Sequence, residues 1–199
     1  AIAEGASSTN GGSVFLSAGN VAVESGGGIS ASSRGFTQLI PNAPTGQGPG
    51  VGATRGGAGH GGVGGTYGSY TGGPTNGTPE GPTVPGSAAR NYDLSGEGGG
   101  LVRLDCPGTV LVNGSIAANG GGAGGAYEAG GSGGGIYITC RALDGGGTLT
   151  ANGGNGGTRW PDTQGGGGGR IAVWRAYDTF GGSANTLRGT SNAGTGTVV

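Results

Sequence analysis

The sequence predicts an all-β chain with essentially no α-helix. Its strands are expected to stack in parallel, as in a β-helix or solenoid, between glycine-rich excursions of polyglycine-II type. Three observations lead there. Apolar residues alternate in short bursts, Val102/Leu104/Cys106, Ile136/Ile138/Cys140 and Ile171/Val173, the period-2 signature of half-buried strands. The bursts also recur at a steady offset. Val102-Arg-Leu-Asp-Cys106 matches Ile136-Tyr-Ile-Thr-Cys140 34 residues later, and Ile171-Ala-Val-Trp-Arg175 follows after another 35. Finally, 58 of the 199 residues are glycine, a density that removes helix propensity.

Taken along the chain, residues 1–199 read as a single domain. Residues 1–40 hold an N-terminal strand pair, Val14–Val23 followed by Gly27-Gly-Ile-Ser-Ala31. Residues 41–100 form a glycine- and proline-rich excursion, and residues 101–199 the stacked repeat units. After each of the first two clear bursts comes a second strand signature, Asn113-Gly-Ser-Ile-Ala-Ala-Asn-Gly120 and Gly146-Gly-Thr-Leu-Thr-Ala-Asn-Gly153. The unit is strand, short turn, strand, glycine excursion. The excursions Gly46–Gly73, Gly120–Gly135 and Gly153–Gly169 are long for a compact domain. Order in them is expected from extended three-residue-per-turn glycine chains, which lack internal hydrogen bonds and can bond to one another side by side.

Composition narrows the alternatives. Nine prolines and clumped glycines exclude collagen, which needs a strict Gly-X-Y period. Val, Ile, Leu and Phe together number only 31, low enough to suggest disorder, but the net charge of −1 gives the chain no reason to stay expanded. All nine basic residues are Arg and are spread singly, so no basic track offers itself to nucleic acid. No apolar run approaches the roughly 20 residues of a membrane span. The chain opens at Ala1 without an initiator Met or signal peptide, which reads as a processed or trimmed start.

Cys106 and Cys140 hold equivalent repeat positions. Stacked parallel strands lie about 4.8 Å apart, inside the disulfide Cα range of about 4.4–6.8 Å. A Cys106–Cys140 disulfide is therefore expected. It would close a loop worth on the order of 3–4 kcal/mol in the chain-entropy model and imply an oxidising compartment. His60 is the only histidine and reads as a packing or hydrogen-bonding residue, since a triad or His-based metal site needs more partners. Asp105 and Asp144 lie near one another in the repeat alignment, but a glycosidase needs its carboxylates about 5–9 Å apart in a cleft, and solvated surface acids are the plainer reading. No enzyme, cofactor or metal is expected. Asn76-Gly-Thr78 and Asn113-Gly-Ser115 are sequons, Asn76 the better acceptor and Asn113-Gly114 also a turn signal. Tyr67, Tyr70, Tyr127, Trp160 and Trp174 are candidate glycan or subunit contacts, with Trp174 directed outward by the alternation.

Several motifs carry a family resemblance: Gly59-His-Gly-Gly62, Tyr67-Gly-Ser69, Gly131-Ser-Gly-Gly-Gly-Ile-Tyr-Ile138, Ala151-Asn-Gly-Gly154 and Gly166-Gly-Gly-Gly-Arg-Ile-Ala-Val173. In order and spacing, residues 56–199 resemble a glycine-rich domain of large secreted and surface proteins of bacteria and protists. Ala193-Gly-Thr-Gly-Thr-Val198 is similar to the start of that domain's next strand. The resemblance implies an extracellular location and a β-helix-like fold, and lends no catalytic residues. The expected role is a structural subunit of an extracellular filament, appendage or surface layer that associates with itself through sheet edges or ends. The alternative is a glycan-binding adhesin module.

Overall fold

The computed structural model describes residues 11–39, 45–92, 96–159, 164–190 and 192–199. No helix occurs among them. The strands are β1 (Ser13–Ser17), β2 (Val21–Val23), β3 (Gly28–Ser30), β4 (Leu101–Val112), β5 (Ser115–Ala117), β6 (Gly135–Gly145), β7 (Thr148–Thr150), β8 (Arg170–Trp174), β9 (Tyr177–Phe180), β10 (Ser183–Asn185) and β11 (Thr197–Val198). Two sheets contain them all, and every pair between them is parallel. One runs β1-β4-β6-β8-β11, with β2 also on β4 and β9 also on β6; the other runs β3-β5-β7-β10.

The repeat offset in the sequence is the pairing register. Val102 lies opposite Ile136 and Ile136 opposite Ile171, while Val14 joins the same row from 88 residues upstream of Val102. Leu16, Leu104, Ile138 and Val173 form the next inward row. In the second sheet Ile29, Ile116, Leu149 and Ala184 align. These rows make one hydrophobic cluster in which Val102, Leu104, Ile116, Ile136, Ile138 and Ile171 are fully buried. A one-residue slip would turn every row to solvent, so the alternation holds the register. The strands also run further than the apolar bursts suggest. β4 and β6 continue past their cysteines through a register shift between Cys106 and Thr109, where Pro107 has no amide hydrogen to give the ladder.

The glycine excursions pack as a bundle of extended backbone. Consecutive amides of Gly130–Gly134 donate in three directions. Gly130 and Gly133 bond to the carbonyls of Gln164 and Gly167, Gly131 and Gly134 to those of Gly121 and Ala118, and Ser132 to that of Ser87, at 2.7–3.1 Å. The period is three residues, as a chain with three residues per turn requires. Segment 166–169 repeats the arrangement toward Gly154, Ala58, Gly194 and Ala151. The close approach is what demands glycine: a Cβ on Gly166 would fall inside contact distance of the Gly131 carbonyl, and one on Gly134 inside that of Gly100.

Gly166→Ala should therefore cost at least the upper end of the ~1–3 kcal/mol typical of overpacking, because the obstructing atoms are backbone. A Cβ on Gly181 meets nothing within 4 Å, so Gly181→Ala should be neutral or stabilise by about 0.5 kcal/mol through the unfolded chain. Urea unfolding of both variants checks the contrast.

Candidate functional site

The outer face of the larger sheet carries the first group of polar side chains. Phe15, Arg103 and Tyr137 align across β1, β4 and β6. The Arg103 guanidinium carbon lies 5.6 Å from the Phe15 ring centroid and 5.3 Å from that of Tyr137, a guanidinium between two rings. Arg103 also bridges Asp105 at 3.0 Å. Beside this row, a depression of about 710 Å³ is lined by Arg103, Asp105, Thr139 and Arg141, with Cys106 and Cys140 at its inner wall.

The two cysteines lie directly opposite one another, as the repeat predicts. They are free thiols and not the expected disulfide. In a parallel ladder, in-register side chains project side by side at about the strand spacing of 4.8 Å, whereas a disulfide needs Cβ atoms about 3.8 Å apart. The Cys106 thiol instead hydrogen-bonds to the Gly19 carbonyl at 3.3 Å. Burial, and then the neighbouring Cys106, push the Cys140 thiol above its ordinary pKa, the reverse of an activated nucleophile. As thiols, the pair carries no argument for an oxidising compartment.

Asp105 and Asp144 are not brought together. Asp105 faces Thr139 across the ladder and Asp144 faces Leu111, which places them on the order of 20 Å apart along the strands. Asp144 Oδ1 accepts from the Gly145 amide at 2.7 Å. Among the described residues no three His, Cys, Asp or Glu side chains gather where they could hold a metal ion, and no helix is long and apolar enough to cross a membrane.

His60 is fully buried in the glycine bundle. Its Nδ1–H donates to the Gly133 carbonyl at 2.9 Å, which assigns the neutral tautomer and leaves Nε2 as a lone pair without a partner among the described residues. Arg170 braces the same region: Nε donates to the Asn76 carbonyl at 2.9 Å and Nη1 to Thr197 Oγ1 at 3.1 Å. His60 thus joins the excursion around residue 60 to the Gly130–Gly134 segment, and Arg170 joins it to β8 and β11.

The remaining candidates are dispersed. Asn76 is half-buried and donates through Nδ2 to the Gly59 carbonyl at 3.2 Å. Asn113 is exposed in the β4–β5 turn, where its Oδ1 accepts from the Gly146 amide at 3.3 Å. Asn113 is the more exposed of the two sequon asparagines. Tyr67 and Tyr70 pair with each other across a two-residue turn, at which Gly68 takes φ 56°. Trp174 points outward as expected, 49% exposed, with its indole N–H on the Glu80 carbonyl at 2.8 Å. Trp160 lies outside the described residues. Tyr127 belongs to an arginine cluster with Arg55, Arg159 and Tyr92 that single-residue reading missed; arginines drawn from separate excursions leave no local motif.

No family model matches the chain, and no curated protein or solved structure is significantly similar to it.

The His60 pKa is lowered to about 4, chiefly by burial and further by the nearby Arg170 charge, against the opposing hydrogen bonds to Gly133 and Gly134. The unfolded chain takes up this proton near pH 6.5 and the folded chain only near 4. Between those values the unfolded state binds more protons, so stability rises with pH there. It should fall on the order of 3 kcal/mol as pH drops from 6.5 to 4 and lose nothing more to this group below that. Urea unfolding at pH 4 and 7 measures the difference, and His60→Gln should remove that part of the slope.

Proposed function

We propose that the chain is a structural module of an extracellular filament, appendage or surface layer, and that it associates with itself through sheet edges. We read the succession β1–β3, β4–β5, β6–β7 and β8–β10 as turns of a parallel solenoid, stiffened by a polyglycine-II-like bundle. The observation that carries the reading is the pair of open edges on the smaller sheet. β3 and β10 close its two ends, and both lie inside the chain. The Ser183 amide and the Asn185 carbonyl bond toward β7, so by alternation the Ala184 N–H and C=O face outward. Ser30 faces outward from β3 for the same reason, because Ala31 N–H and the Gly27 carbonyl bond toward β5. Among the described residues nothing pairs with these outward groups. Because all strands run one way, the β10 edge of one copy can continue onto the β3 edge of the next in the same parallel sense. That contact is heterologous and propagates into a filament when its rotation does not close.

Glycan binding is the second reading. It is favoured by the half-exposed Trp174 indole and by arginines set against exposed tyrosine rings.

Sedimentation velocity across a concentration series, with negative-stain microscopy at the top of it, tests the assembly reading. The expected result is a growing distribution of linear oligomers. Ala184→Pro and Ser30→Pro, which remove outward donors, should return the protein to monomer with little change in thermal midpoint. A single monomeric species at every concentration overturns the reading.

A further inference from the structure

The three glycine excursions and the segment 90–92 meet on the surface of the glycine bundle and bring arginines together with tyrosines. The Arg55 guanidinium carbon lies 5.2 Å from the Tyr92 ring centroid and 5.7 Å from that of Tyr127; Arg159 approaches Tyr127 at 5.8 Å. Backbone bonds hold the parts in place. The Arg55 amide donates to the Arg90 carbonyl at 2.8 Å, the Arg159 amide to the Ala126 carbonyl at 3.0 Å, and the Tyr92 amide to the Glu128 carboxylate at 3.2 Å. Arg55 sits at φ 64°, a left-handed conformation that costs a non-glycine residue energy and marks an over-determined position.

Arg55, Arg90 and Arg159 form no ion pair with a described residue. The Glu128 carboxylate beside them is buried and already accepts the Tyr92 amide. Among the described residues the Nε atoms of Arg55 and Arg90 are buried without a hydrogen-bond partner, a costly state for a charged donor. Beside them the Tyr92 and Tyr127 rings stand 44% and 38% exposed.

We propose that this cluster binds an acidic polysaccharide, one bearing carboxylate or sulfate groups. The planar guanidinium fork matches either anion in bidentate fashion, and an exposed tyrosine offers an apolar ring face with a polar tip for a sugar. The inference rests on the glycan reading and moves its site from Trp174 to this cluster; it does not depend on assembly. Nucleic acid fits less well, because the other arginines form no track along which phosphates could run. A second copy of the chain also fits less well, because its Asp105 and Asp178 are engaged in ion pairs. With a net charge of −1 the whole protein has no general attraction for a polyanion, so binding must come from a local cluster.

Affinity electrophoresis of the whole chain through gels containing polygalacturonate, dextran sulfate or unsubstituted dextran tests the proposal. Retardation is expected with the acidic polymers, reduced by added salt, and absent with dextran; the two acidic arms tell carboxylate from sulfate recognition. Arg159→Glu and Arg55→Gly, the latter keeping the left-handed backbone accessible, should each weaken retention about tenfold or more. Arg103→Gln, on the larger sheet between Phe15 and Tyr137, should leave it unchanged. A far-UV spectrum and thermal midpoint matching the parent exclude misfolding as the cause. No retention by either acidic polymer overturns the proposal, as does equal retention by the arginine variants. Retention by any of the polymers that Trp174→Ala alone abolishes keeps the glycan reading and overturns this site.

Discussion

Backbone resting directly on backbone is the constraint on which the rest of the molecule depends. Where Gly130–Gly134 runs through the bundle, its amides reach three neighbouring segments in turn, with no layer of side chains between them. This spacing exists only while no Cβ intervenes, and it explains how so few large apolar residues support an ordered chain. Stability shifts from apolar area toward satisfied amides, each modest in net worth but expensive to leave unpaired. The buried polar side chains serve the same end. Asn91 accepts from the Ala129 amide and donates to its carbonyl, both at 2.8 Å, as an additional peptide group would. Ser87 Oγ accepts from Gly50 and Ser132 Oγ from Ser87, again at 2.8 Å.

The strands and the bundle constrain one another through the corners between them. Asn119 and Asn152, the asparagines of the recurring Ala-Asn-Gly signature, form a ladder. Asn119 Oδ1 accepts from the Asn152 amide, and Asn152 Oδ1 from that of Leu187, each at 2.8 Å. A side-chain amide stacked at the same corner locks each unit onto the next at the point where the second sheet gives way to glycine. The inward rows of Val, Ile and Leu hold the register on one side of this corner, and the glycine contacts hold it on the other. Most of these pairings are distant in sequence, as when β1 meets β4 across the whole glycine- and proline-rich excursion. Such non-local closure costs loop entropy before contacts repay it, so slow folding goes with this architecture.

With the interior occupied by backbone and aliphatic rows, chemistry is pushed to the exterior. There arginine recurs against aromatic rings, in the Phe15–Arg103–Tyr137 row and in the Arg55–Tyr127–Arg159 cluster. The first cation is paired with Asp105 and reads as part of the sheet surface; the second group has no such partner among the described residues and reads as a place for a ligand. The one buried histidine is a strut of the glycine bundle, and the two in-register cysteines line the depression on the larger sheet.

The sequence by itself determined the strand type, the absence of helical periodicity and the pairing register, because alternation and a steady offset leave one way to bury every apolar row at once. It also placed Cys106 beside Cys140 and Trp174 on the outside. What it could not decide depends on distances between chemically distant segments. Equivalent repeat positions bring two cysteines opposite one another, yet whether sulfurs bond turns on side-chain separations of about an ångström. The repeat alignment set Asp105 near Asp144, but strand length carries them apart. Asn76 looked like an open acceptor and is half-buried, with its Nδ2 on the Gly59 carbonyl. The arginine cluster has no local signature, since its members come from excursions that meet only because each glycine segment packs against three others. Local periodicity settles which face a residue occupies; only the packed bundle settles which faces come together.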